Sequence, residues 1–249
     1  MTLLYSVDLL AITDYRLPNY LTTDYLSNMR YAISDIHGHC ETFLSFLDRI
    51  QLSPSDELYL LGDYVDRGPD SCGVIETILD LEADGYQVHC LKGNHEVILL
   101  DVHEGMGIVE STNWYRLYGG QATIESYPES SIYDYHKSWM NSLQHYFDLG
   151  DYYLVHAGLN FRGGAPLADE TSMLWIRNWY EDIQEQYLGG RTIVHGHTPT
   201  ARKDIQDMLK KSWNKPVINI DGGCYADQPG LGHLCALNLD YRELIFEKR

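Results

Sequence analysis

The feature that most constrains the fold is a phrase that recurs three times early in the chain: a short apolar run, a loop bearing glycine and metal-ligand side chains, then a stretch with helical spacing. The runs are 31–34, 58–61 and 87–91, and the loops read Asp35-Ile36-His37-Gly38, Gly62-Asp63 and Gly93-Asn94-His95-Glu96. Strand, loop, helix is the grammar of α/β folds, in which ligands gather beyond the carboxyl ends of strands. After the first loop, Phe43, Phe46, Leu47 and Ile50 recur at i, i+3, i+4 and i+7, and Val74, Ile75, Ile78 and Leu79 repeat the scheme after the second. Both read as helices docking their apolar faces on a sheet.

Further strands are predicted at 152–155, 192–195 and 217–220. The first two lead into Val155-His156-Ala157-Gly158 and Gly196-His197-Thr198-Pro199, and 233–239 with 242–247 alternate like a hairpin about Asp240-Tyr241. Between 101 and 150 the rhythm breaks. Trp114, Tyr115, Tyr118, Tyr127, Tyr133, Tyr135, Trp139 and Tyr146 crowd among charges there, which reads as a mainly helical insert whose aromatics serve chiefly in packing. Residues 1–28 are rich in Tyr, Leu and Asp without clean periodicity. They are read as an N-terminal extension, either packing on the domain or preceding a true start at Met29, and 29–249 as one domain with no linker or repeat.

The loop residues form a mixed oxygen and imidazole donor set. Asp35 and His37 lie two apart in what reads as an extended segment, where alternate side chains point the same way and can meet one ion. Asp63 is the natural bridge, because a carboxylate has two oxygens and a charge to offset the repulsion between two cations. With no thiolate in the set, Mn, Fe or Zn fits better than a structural zinc or an all-oxygen magnesium site, and manganese is the choice for assay. His195 alternates with His197 and is a minority candidate for a further ligand, read first as a hydrogen-bonded neighbour of the site. His39, His89, His103, His136, His145 and His233 are read as surface or satisfied core.

Ser34-Asp35-Ile36-His37-Gly38-His39, Gly62-Asp63-Tyr64-Val65-Asp66-Arg67-Gly68 and Gly93-Asn94-His95-Glu96, in this order, resemble the PPP-type metallophosphatases of the calcineurin-like metallophosphoesterase superfamily. Gly119-Gly120-Gln121-Ala122-Thr123, Trp175-Ile176-Arg177 and Ile220-Asp221-Gly222-Gly223-Cys224 are similar to the bacterial members, while the eukaryotic Ser-Ala-Pro-Asn-Tyr segment is missing. The resemblance implies an α/β fold with a central β-sandwich flanked by helices and a small helical insert. It also implies Asp35, His37 and Asp63 on one divalent metal and Asp63, Asn94, His156 and His197 on a second. It pairs His95, as general acid, with Asp66, as its orienter. Arg67 and Arg177 become the phosphate clamp, since a planar guanidinium grips phosphate oxygens in pairs; Arg162 is a distant third choice.

The activity implied is metal-dependent phosphoester hydrolysis by direct attack of metal-bound hydroxide. A protein serine/threonine phosphatase is the first expectation, and a symmetrical dinucleoside tetraphosphate hydrolase, with the same ligands and different cleft walls, the alternative. The partner is then a phosphorylated protein or a small phosphoester. A formal charge of −18, from 36 Asp plus Glu against 18 Lys plus Arg, repels nucleic-acid backbones and anionic membranes. Cys40, Cys72, Cys90, Cys224 and Cys235 are odd in number and scattered, which signals neither a disulfide framework nor a thiolate metal site and suits a reducing cytoplasm. The apolar opening at 2–12 contains Asp8 and is too short to span a bilayer.

Overall fold

The computed structural model describes residues 28–249, so the expectation for the N-terminal extension lies outside the described residues. Three parallel strands, β1 (Arg30–Ile33), β2 (Glu57–Leu60) and β3 (Gln87–Cys90), alternate with helices α1 (Cys40–Ile50), α2 (Ser71–Ala83) and α3 (Asn94–His103). The insert follows as α4 (Ile108–Asn113), a π-helical turn at Trp114–Tyr118, α5 (Gly120–Ser126) and α6 (Asp134–Ser142). Next come β4 (Tyr146–Asp148), β5 (Tyr152–Val155), the short helices α7 (Glu170–Trp175) and α8 (Glu185–Leu188), β6 (Thr192–His195), α9 (Arg202–Lys211) and β7 (Val217–Asn219). The chain closes with β8 (His233–Asn238) and β9 (Glu243–Lys248).

Two sheets result, in the orders β3-β2-β1-β8-β9 and β4-β5-β6-β7. The terminal hairpin returns antiparallel beside β1, with Ala32 opposite Leu237, and so completes the first sheet. β4 was not anticipated: the sequence reading kept the insert helical to residue 150, whereas Tyr146–Asp148 pairs antiparallel with β5. A strand of three residues is too short to show alternation, and its pairing is what makes it a strand.

Side chains on successive strand residues point to opposite faces, and the core divides accordingly. Ile33, Leu58 and Leu60 face α1 and α2, joining Phe43, Phe46, Ile75 and Ile78. Ala32, Tyr59 and Leu61 face the other way and meet Leu154, Val194 and Ile218 of the second sheet. A third cluster, with Val155, Ile193, Met173 and Trp179, covers the second sheet's outer side. This is the sandwich of sheets flanked by helices that was expected. It sets the carboxyl ends of β1, β2, β3, β5, β6 and β7 around one cleft.

Candidate metal centre

Every parallel strand hands its next few residues to this cleft. A pocket of about 170 Å³ is lined by His37, Asp63, Arg67, Asn94, His95, Ile98, Tyr118, Trp175, Arg177, His197, Pro199, Asp221 and Tyr225. A larger hollow of about 420 Å³ beside Trp213 and Arg242 holds none of the motif residues, so size does not mark the chemistry here. Two groups of ligand atoms converge in the cleft: His37, Asp63 and His95, and Asp63, His156 and His197, with the atoms of each within 4.8 Å of one another. Asp63 belongs to both. Its Oδ2 lies 3.5 Å from His37 Nε2 and its Oδ1 3.4 Å from His156 Nε2, the disposition expected of a bridge.

The imidazoles are oriented from behind. His37 Nδ1 donates to the Val65 carbonyl (2.8 Å) and His156 Nδ1 to the Leu61 carbonyl (2.8 Å), which leaves each Nε2 as a lone pair directed inward. Asn94 Oδ1 lies 3.0 Å from His156 Nε2 and 2.8 Å from His197 Nδ1. For His156 this sets acceptor against acceptor, an arrangement that favours a cation between them. His197 Nε2 is buried without a partner. Burial, together with the neighbouring His156, holds His197 down to about pKa 3, so its ring is neutral and able to ligate. Glycine makes the approach close: a Cβ on Gly93 would stand 2.2 Å from Asp63 Oδ1.

The loop that carries Asp35 departs from the expected extended shape. The backbone of Asp35 and that of His37 are left-handed, with φ of 50° and 48°, so the loop is curled rather than extended and the alternation argument fails. The Asp35 carboxylate instead accepts the His197 N–H (3.0 and 3.1 Å) and the Ser34 hydroxyl, and it joins neither ligand group. Burial, then Asp221 and Asp63, push its proton affinity well up. Asp221 likewise is driven to about pKa 7, chiefly by burial. Its segment was matched to the bacterial members but Asp221 was given no role from the sequence, although it stands just past the end of β7, where the earlier motifs also sit.

His95 Nδ1 donates to Asp66 Oδ2 at 2.6 Å, as the pairing required. Burial opposes charge on the ring, but Asp63 and Asp66 outweigh it and raise its pKa. Asp66 has no exposed surface and accepts also from Trp114 Nε1 (3.0 Å) and Thr123 Oγ1 (2.7 Å), both from the insert. Glu96, equally buried, accepts the backbone N–H groups of Asp63 (2.9 Å), Tyr64 (2.8 Å), Val65 (3.3 Å) and Gly93 (2.9 Å), tying two loops together. Neither Trp114 nor Glu96 was given a role from the sequence. Asn94 and His95 reach the cleft as the first residues of α3, behind the close Gly93.

Arg67 stacks over Tyr225 (4.1 Å), its terminal nitrogen lies 3.5 Å from His95 Nε2, and its buried Nε has no partner. Arg177 donates to Thr198 Oγ1 (2.9 Å) at the pocket rim and makes no salt bridge among the described residues. Arg162 pairs with Asp182 outside the pocket. His195 donates from Nδ1 to the Gly196 carbonyl and accepts from Tyr180, a satisfied neighbour as read.

The calcineurin-like phosphoesterase family model matches residues 31–227, a span that contains all of these loops. The chain belongs to that family. A symmetrical bis(5'-nucleosyl)-tetraphosphatase of Nitrosomonas europaea is 35% identical over 130 residues, 52% of this chain and 44% of the relative. One from Glaesserella parasuis is 26% identical over 202 residues, 80% of this chain and 69% of the relative. The chain thus spans under half the length of the first of these curated relatives. The structure of a proposed diadenosine tetraphosphatase aligns over 92% of this chain and 95% of its own, at 21% identity and a TM-score of 0.60, a likeness of fold. Calcineurin-like phosphoesterases are hydrolases that use two divalent cations, and the paired ligand groups about Asp63 suit such a centre. Among the described residues no helix is long and apolar enough to cross a membrane.

Proposed function

We propose that this phosphoesterase hydrolyses symmetrical dinucleoside tetraphosphates to two nucleoside diphosphates, in preference to phosphoproteins. The relatives named above support the reading, and one feature of the cleft carries it. A hollow of about 380 Å³ adjoins the metal pocket across Arg67 and Tyr225 and is lined by His39, Gly68, Pro69, Ala122, Glu125 and Arg249. A phosphomonoester presents one anionic group, whereas a tetraphosphate must also seat phosphates and a nucleoside beside the scissile bond. A space that shares the clamp arginine and has Arg249 and Glu125 on its walls provides that room.

In this reading Asp35, His37 and Asp63 would hold one cation and Asp63, Asn94, His156 and His197 the other. When bound, divalent cations supply Lewis acidity toward phosphoryl oxygens and lower the pKa of water. The chain's own residues do the rest. Arg67 and Arg177 fix the phosphoryl group between them, and His95, oriented by Asp66, holds a proton on the side of the leaving oxygen. A nucleoside diphosphate is a better leaving group than a serine alkoxide, so this substrate class leans less on His95.

Turnover of diadenosine tetraphosphate, a phosphoserine/phosphothreonine peptide and a phosphotyrosine peptide by metal-reconstituted protein tests the proposal. The expected result is ADP as sole product from the first, at the highest kcat/KM of the three. A higher kcat/KM on either phosphopeptide would return the protein-phosphatase reading to first place, and AMP plus ATP as products would exclude symmetrical cleavage.

A further inference from the structure

Ligand-type side chains converge at a second place, where the insert meets α2. Cys72 and Glu76 are four apart on α2 and therefore share a face. His136, on α6, faces them from the insert. One atom from each, a cysteine sulfur, a carboxylate oxygen and an imidazole nitrogen, lie within 4.8 Å of one another, the closeness that groups the ligands of the catalytic cleft. None of the three lines the metal pocket.

The histidine is built in. It has no exposed surface, its Nδ1 lies 2.7 Å from the Tyr127 hydroxyl, and the rings of Tyr127, Tyr133 and Tyr135 pack edge-on to it at 4.4–5.5 Å. Its orientation is thereby fixed, with Nε2 toward α2. That nitrogen is buried without a well-formed hydrogen bond, and Glu76 Oε1 stands 3.2 Å from it. Glu76, whose side chain is 39% exposed, is held over the ring by the Tyr135 hydroxyl. A plain His–Glu ion pair would aim the ring N–H at the carboxylate, and it would not use the buried Cys72 beside them.

We propose that Cys72, Glu76 and His136 form a third divalent-cation site, of the zinc class, with water in the fourth position, which pins α6 of the insert to α2. Thiolate with imidazole and carboxylate is a donor set that selects zinc over magnesium or calcium. Binding releases the thiol proton to solvent and leaves the sulfur as a thiolate ligand. The scattered cysteines hid the site, because its third ligand comes from a distant helix.

The test uses cobalt as a probe, since the candidate ligands of the catalytic cleft include no sulfur. Metal-free full-length protein is titrated with Co²⁺ and its near-ultraviolet spectrum read for a sulfur-to-cobalt charge-transfer band. The unaltered chain is expected to develop the band, Cys40→Ser to keep it, and Cys72→Ser to lose it while still taking up cobalt in the cleft. No band in the unaltered chain overturns the proposal, whether or not any variant folds, and a band that survives in Cys72→Ser does so equally.

Discussion

Glu96 and Asp66 are both fully buried carboxylates at the cleft, and they are satisfied in opposite ways. Glu96 lies among the strand-end loops and takes backbone N–H groups from four residues of two loops. Asp66 faces the insert and takes side-chain donors, from His95, Trp114 and Thr123. The first holds the loops in shape, and the second transmits the position of the insert to one imidazole. The loops should therefore fail as structure when altered, and the insert contact should fail as catalysis.

The largest effect is expected where both kinds of support end, at the cations. Chelation should abolish turnover, and Asp63→Asn should cost more than the roughly 10–100-fold typical of losing an outer-shell partner, because this carboxylate belongs to both ligand groups. Full activity on p-nitrophenyl phosphate in protein shown to be metal-free would break the two-metal reading.

Asp66→Asn comes next. It should lower kcat on alkyl phosphates by about 10²–10⁴-fold, the worth of general acid catalysis, with far less loss on p-nitrophenyl phosphate and a smaller fall in melting temperature than Glu96→Gln gives. The double variant with His95→Asn should be no worse than His95→Asn alone, since the two act as one unit. An additive double loss, or equal losses across leaving groups, would make Asp66 a scaffold residue like Glu96.

Glu96→Gln should sharpen the contrast from the other side. An amide nitrogen in place of one oxygen orphans backbone donors, at about 1–3 kcal/mol for each, so the midpoint of urea unfolding should fall. Unchanged stability with lost activity would reverse the roles assigned to the two acids. Trp114→Phe, which removes one donor to Asp66 and keeps the ring buried, should cost only a few-fold in kcat.

The smallest effect concerns the insert's outer aromatics. Only Tyr118 among Tyr115, Tyr118, Tyr133 and Tyr135 lines the metal pocket, whereas Tyr133 and Tyr135 pack about His136. Tyr118→Ala should raise KM for diadenosine tetraphosphate while p-nitrophenyl phosphate kinetics hold, the mark of lost remote binding. Equal KM values before and after would leave Tyr118 a bystander.

The same contrast explains what could be read from the sequence. Asp63, Asn94, His156 and His197 were legible because each follows an apolar run, and strand ends in such folds converge. Trp114 and Thr123 were not, because their bonds to Asp66 join residues 48 and 57 positions apart through tertiary packing. For Asp35 and His37 the family resemblance pointed to the cleft, whereas the alternation argument does not hold. Period-two logic holds in a strand, and the chain leaves the strand at Ile33.

That curled backbone has a practical consequence. Asp35, His37, Asp63, Asp66, Arg67 and His197 all have φ between 48° and 71°, a conformation that disfavours side-chain-bearing residues by roughly 1–3 kcal/mol each. Glycine or asparagine would relieve that strain only by removing the ligand, clamp or orienting group that the curl presents. A library meant to harden this chain should hold all six fixed and look for its improvements elsewhere.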